Sequence, residues 1–157
     1  MTMLSLLVAL LQVAPALSGE DPVAPYIMRD THAGARPARD TALLEAFHGR
    51  AGIDRVVDDL VTTSQADPRI GDIFKGQDMV RLRRTLKEQF CYLLAGGCSY
   101  SGRDMATAHK DLGIQAKDMN ALVENLQAAM TREHVAFRAQ NALLAKLAPM
   151  KRDVVTR

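Results

Sequence analysis

The chain has 157 residues, a length that fits one domain. Hydrophobic residues make up 48% and charged residues 24%, the balance of a globular protein with a packed core. The net charge is +2 with both signs interspersed, which argues against a nucleic-acid partner, since that needs a concentrated basic footprint. Aromatics are only 4% and tryptophan is absent, so leucine and methionine must fill most of the core.

Met1 to Ser18 carries no charge, and Leu4 to Val13 is nearly all aliphatic. Ala14-Pro15-Ala16 and Ala16-Leu17-Ser18 both offer the small-x-small pattern of a signal-peptidase site. The apolar run is shorter than the ~18 residues of a membrane helix, so no stable span is expected in the mature form. Residues 1–18 are therefore predicted to be a cleaved signal peptide that delivers the protein to the periplasm or medium. No Lys or Arg precedes the apolar run, which leaves an uncleaved anchor or a misplaced start as the alternative, with a cytoplasmic protein if the segment is no signal. Residues 19–39 hold Pro22, Pro25, Gly34 and Pro37 without an apolar period and read as a linker or mobile arm before a domain at 40–157.

Everything after Asp40 reads as about six helices with short loops, without a period-two strand. Leu43, Leu44 and Phe47 mark a short first helix ending in Gly49-Arg50-Ala51-Gly52. Ile53, Val56, Val57, Leu60 and Val61 form a core-facing stripe at helical spacing, closed by Pro68 and Gly71. Asp78 is placed to cap a long helix with Met79, Leu82, Leu86, Phe90 and Leu93 on one face, broken at Gly96-Gly97. Then comes Ser101-Gly102-Arg103-Asp104-Met105, where Ser101 reads as an N-cap with Asp104 its partner and Gly113 as the stop. Met105, His109 and Leu112 share a face, so an imidazole stands among apolar side chains. Such a histidine is either a core residue bonded to backbone or a haem ligand. Met119, Leu122, Val123, Leu126 and Met130 define the next helix, and Phe137, Leu143, Leu144 and Leu147 the last, ended near Pro149.

The order and spacing of several short pieces resemble the group I truncated haemoglobins, bacterial globin-like proteins. Val56-Val57-Asp58-Asp59 and Ala66-Asp67-Pro68-Arg69 match that family's second helix and its end. Ile73-Phe74-Lys75-Gly76 with Met79 matches the approach to the distal helix, and Gly96-Gly97, Tyr100-Ser101-Gly102 and Ala108-His109 match the loop and proximal helix. The resemblance implies an all-α, two-over-two helical sandwich around b-type haem, with His109 as the iron ligand. It places Phe74, Met79, Leu82, Leu86, Phe90, Tyr100, Ile114 and Leu122 around the cofactor and Leu60, Val61, Leu82 and Leu86 in the distal ligand pocket. Val61 stands where the family usually has a tyrosine, so the pocket is expected to be apolar, with Thr85 and Gln89 the nearby polar residues. Cys98 follows Gly97 where the family often has proline, and a one-residue shift there moves the roles of Leu82 and Leu86 onto neighbours such as Thr85 or Gln89.

The implied function is reversible binding of a diatomic gas: oxygen, nitric oxide or carbon monoxide. Two other readings stand beside it. One is a haem redox enzyme, for example a nitric oxide dioxygenase or a peroxidase-like catalyst, served by an unknown reductase. The other is a helical interaction module without haem. Arg81, Arg84 and Arg103 are candidates to face haem propionates, or simply a solvated charged face. Cys91 and Cys98 are the only cysteines and form either a disulfide or two buried small hydrophobes. No Cys-x-x-Cys-His occurs, which disfavours c-type attachment. His32 and His134 lack partners at metal spacing, and His48 reads as a surface turn residue.

Overall fold

A computed structural model of the protein describes residues 18–156; the expected signal peptide lies outside the described residues except for Ser18. Seven α-helices follow one another among the described residues: α1 (Ala42–Ala46), α2 (Gly49–Ala66), α3 (Met79–Leu93), α4 (Met105–Ala108), α5 (Ala116–Arg132), α6 (Phe137–Leu147) and α7 (Lys151–Val154). The expectation of about six is met with one short C-terminal turn added. No helix among these is long and apolar enough to cross a membrane.

The α2 stripe behaves as its spacing dictates: Ile53, Val56, Val57, Leu60 and Val61 are all buried, and Ser64 extends the same face. Ion pairs give the helix directions. Arg55 bonds Glu133, Asp59 bonds Arg132 and Arg69 bonds Glu124, so α5 runs antiparallel to α2. Asp58 takes both Arg83 and Lys87 while Arg50 reaches the carbonyl of Gly96, so α3 is antiparallel to α2 as well. α6 folds back on α5, where Gln140 bonds Thr131 and the Val135 carbonyl. Two antiparallel pairs, α2/α3 and α5/α6, thus enclose one core, with α4 between the end of α3 and the start of α5.

Local signals decide the ends. Asp78 accepts from the Arg81 amide at 2.9 Å and caps α3 as expected. The first helix differs from expectation. It ends at Ala46, and Phe47 is fully buried beyond it. His48 and Gly49 turn the chain through positive φ, so Gly49 to Gly52 open α2 instead of closing α1. Gly52 must be glycine, because a Cβ there would lie 1.8 Å from the Phe47 carbonyl oxygen. Asp104, not Ser101, caps α4 by accepting from the Thr107 amide at 2.9 Å. α4 also stops at Ala108, well before Gly113, leaving His109 as its C-cap. Phe137 is 70% exposed, so the core face of α6 is carried by Ala139, Gln140 and Leu143.

The arm expected to be a linker lies against the domain. Glu20 pairs with Arg84 at 2.5 Å and with Arg81 at 3.3 Å. The Tyr26 hydroxyl donates to the Ser101 carbonyl, Asp30 accepts from the Tyr100 amide, and Ala33 is fully buried. These contacts are made by single polar side chains, which leave no apolar period to read.

Candidate functional site

His109 is half-buried at the end of α4. Its backbone N–H donates to the Met105 carbonyl, and its ring Nδ1 lies 2.8 Å from the same oxygen. A carbonyl only accepts, so Nδ1 carries the proton and Nε2 holds a bare lone pair. Burial pushes the imidazole's pKa down, against the opposing pull of the Met105 carbonyl. A neutral ring with a fixed tautomer and a free Nε2 is the state that ligates a metal. Among the described residues no three His, Cys, Asp or Glu side chains converge on a metal position. The donor set therefore fits an iron whose other ligands come from a macrocycle.

The side chains expected around such a group are placed as follows. Met79, Leu82 and Leu86 of α3 and Leu122 of α5 are half-buried and pack against the core, as are Leu112 and Met119. Leu60, Val61, Phe90 and Ile114 are buried within it. Phe74 is half-buried in the 3-10 turn Gly71–Phe74, outside that cluster. Tyr100 is buried, and its hydroxyl donates to the Arg103 carbonyl at 3.0 Å. Burial raises the Tyr100 pKa far above the ordinary phenol value.

The two polar candidates of α3 are engaged elsewhere. Thr85 Oγ1 turns back onto its own helix, to the carbonyls of Arg81 and Leu82. Gln89 is 4% exposed and points its amide at the Ala33 carbonyl and at the sulfurs of Met105 and Met150. Leu60, Val61, Leu82 and Leu86 have no hydrogen to donate.

Arg84 is bound to Glu20, Glu88 and the Ser101 hydroxyl, and Arg81 to Glu20, Asp78 and the Asp21 carbonyl. The Arg84 hydrogen bond holds the Glu20 carboxyl below its ordinary pKa. Arg103 lies over the Tyr26 ring at 5.1 Å. Cys91 and Cys98 are joined by a disulfide that closes the turn after α3. A charged groove of about 470 Å³ lies over it, lined by Arg50, Asp54, Arg83, Arg84, Lys87 and Glu88 among others, and does not include His109. His48 occupies the left-handed turn before α2 and His134 a second one after α5. His32 lies in the turn Asp30–Ala33 with a buried Nδ1 that has no hydrogen-bond partner. Sequence reasoning missed what holds the His109 ring: the Met105 carbonyl leaves no trace in residue identity, and Gln89, a nearby polar candidate for the distal pocket, points to Ala33, Met105 and Met150.

A set of antiparallel helix pairs with a half-buried imidazole capping a short helix has the form of a two-over-two globin. Comparison with known proteins agrees. A model of the bacterial-like globin family matches residues 42–156, and the chain belongs to that family. It is 26% identical over 117 residues to the group 1 truncated haemoglobin GlbN of Nostoc commune, covering 74% of this chain and 99% of that protein. The 2/2 haemoglobin of Synechococcus sp. PCC 7002, solved in the cyanomet state with covalently attached haem, superposes with a TM-score of 0.68 at 26% identity. That superposition spans 73% of this chain and 98% of the other. The truncated haemoglobin of Tetrahymena pyriformis in its Fe(III) form gives a TM-score of 0.70 at 24% identity over the same shares, a likeness of fold. The fold and the resemblance expected from the sequence hold.

Proposed function

We propose that this chain binds b-type haem through His109 and would hold a diatomic gas reversibly on that haem. The observation that carries the reading is the His109 ring: Nδ1 fixed on the Met105 carbonyl at 2.8 Å and Nε2 left free at the end of a one-turn helix. Haem, when bound, would supply the iron that takes the gas; the chain supplies the neutral imidazole and apolar side chains. Met79, Leu82, Leu86 and Leu122 are the half-buried apolar side chains that would cover the macrocycle. On the distal side Leu60 and Val61 exclude water and donate no hydrogen bond, which favours ready release of oxygen. The absence of a Cys-x-x-Cys-His sequence disfavours c-type attachment.

Export is part of the same proposal. The uncharged, aliphatic Met1–Ser18 segment supports it, and a Cys91–Cys98 bond suits an oxidising compartment. Amino-terminal sequencing of protein from its native host checks this; an intact Met1 on a cytoplasmic protein contradicts it. The gas-binding reading is tested by titrating the reduced, haem-loaded protein with oxygen and carbon monoxide. Difference spectra that reverse on degassing are expected. Steady catalytic turnover with an added reductant, and no reversible gas complex, would favour a redox enzyme.

A further inference from the structure

α4 is four residues long, too short to hold its own shape. The position of His109 must therefore be imposed by what surrounds that single turn. Its N-terminus is capped by Asp104, and α7 packs against it. Two further supports have no role in the globin reading: a buried glutamine that reaches Met105, and the arm at 20–39, which holds the loop ahead of α4.

We propose that Gln89 and the arm segment Tyr26–Ala33 are positioning elements for the His109 imidazole. The inference rests on the reading of His109 as the haem ligand. Gln89 Nε2 donates to the Ala33 carbonyl at 2.9 Å and reaches the sulfurs of Met105 at 3.6 Å and Met150 at 3.7 Å. The amide's two hydrogens are divided between the Ala33 carbonyl and the two sulfurs, which are weak acceptors, and so link the arm, α4 and the turn before α7 to α3. A buried amide is costly unless its hydrogens find acceptors, so the three segments cannot drift apart freely. Met105 is the residue whose carbonyl receives His109 Nδ1. A shift of Met105 turns the imidazole with it.

The arm grips the loop ahead of α4 at two further points. Asp30 Oδ1 accepts from the Tyr100 amide at 2.8 Å, and the Tyr26 hydroxyl donates to the Ser101 carbonyl at 2.8 Å. Tyr100 then closes on the Arg103 carbonyl, one residue before the Asp104 cap. The arm is itself anchored, by Glu20 on Arg84 and by the Ala38 amide on the Leu93 carbonyl. It precedes residue 42, where the family match begins, so this half of the support lies outside the matched region.

The test uses the full chain without haem at pH 8, with the histidine tautomer read by nitrogen-15 NMR, followed by haem dissociation from the loaded protein. Wild type should show His109 as the Nδ1–H form. Gln89→Met keeps the side-chain length and removes the donor; Tyr26→Phe removes only one hydroxyl and decides the matter if Gln89→Met is too unstable to purify. Both should give a mixture of tautomers and speed haem loss by about threefold to tenfold, below the range for a direct partner of a metal ligand. Gln140→Met is the control: an equally buried amide that bonds Val135 and Thr131, away from α4. It should lower stability and leave the His109 tautomer unchanged. Wild-type tautomer and dissociation in both Gln89→Met and Tyr26→Phe, or an equal effect of Gln140→Met, would overturn the proposal. A wild-type chain that takes up no haem would refute the functional reading instead, while the tautomer measurement still reads positioning.

Discussion

Replacing Val61 by tyrosine separates two consequences that the distal side predicts. Val61 is 1% exposed on α2, next to Leu60 and one turn before Ser64. A larger ring there overpacks a filled core and should cost about 1–3 kcal/mol of stability. Under the proposed function its hydroxyl would supply a distal donor, since Thr85 and Gln89 are engaged with their own helix and with Ala33. A donor in a dry pocket contributes on the order of 1–3 kcal/mol to bound oxygen, which carries partial negative charge. Even ~1.4 kcal/mol slows release tenfold. Carbon monoxide carries less charge when bound and should respond far less. Stopped-flow displacement of each gas, from wild type and Val61→Tyr, reads the ratio directly. Fast oxygen release in wild type, at least tenfold slower release in Val61→Tyr and nearly unchanged carbon monoxide release are expected. Slow oxygen release in wild type would refute the reasoning, because it would require a donor that the packing of Thr85 and Gln89 does not leave free.

Two further outcomes follow from particular groups. His109 titrates below its ordinary value of 6.5, so the unfolded chain takes up the proton first as pH falls. The stability that the neutral, buried ring contributes to the haem-free protein is full above the unfolded pKa. It is lost as pH falls from there through the lowered folded value, so the melting temperatures of wild type and His109→Leu should change relative to each other only in that window. A constant difference from pH 8 to pH 5 would show that the ring is not held neutral. The Cys91–Cys98 bond closes a loop with a sequence separation of 7, for which chain entropy gives about 2 kcal/mol. Cys98→Ser, or thiol reduction of wild type, should lower the melting temperature by roughly 5–10 °C in calorimetry. Coincident melting of the oxidised and reduced forms would contradict that contribution.

The helical frame was legible where apolar spacing and capping chemistry agree. Ile53 to Val61 kept period across two turns, and Asp78 stood alone as a cap before the α3 stripe, so both were readable. Ser101, with Asp104 three residues on, reads as the cap of α4 from spacing alone, yet Asp104 has its own partner three residues on in Thr107. Asp104 caps because Thr107 answers it from both its amide and its hydroxyl, while Ser101 is drawn to Glu88. His109 was visible from its apolar neighbours, but its acceptor is a backbone carbonyl, common to every residue. The arm was illegible for another reason. Glu20, Tyr26 and Asp30 each bind a distant residue through one polar group, and such contacts carry no period. The two cysteines left both readings open until α3 was seen to end at Leu93 and Gly96 to fold back onto the Cys91 carbonyl.

The central claim is that His109, alone among the histidines, presents the nitrogen that holds haem iron. The most direct measurement is the absorption spectrum of the purified chain titrated with haem, for wild type and for His109→Gly with and without added imidazole. Wild type should saturate at one haem per chain with a histidine-ligated spectrum. His109→Gly should lose that spectrum and regain it when imidazole fills the vacated position. A variant that binds haem as wild type does, without imidazole, would contradict the assignment of His109.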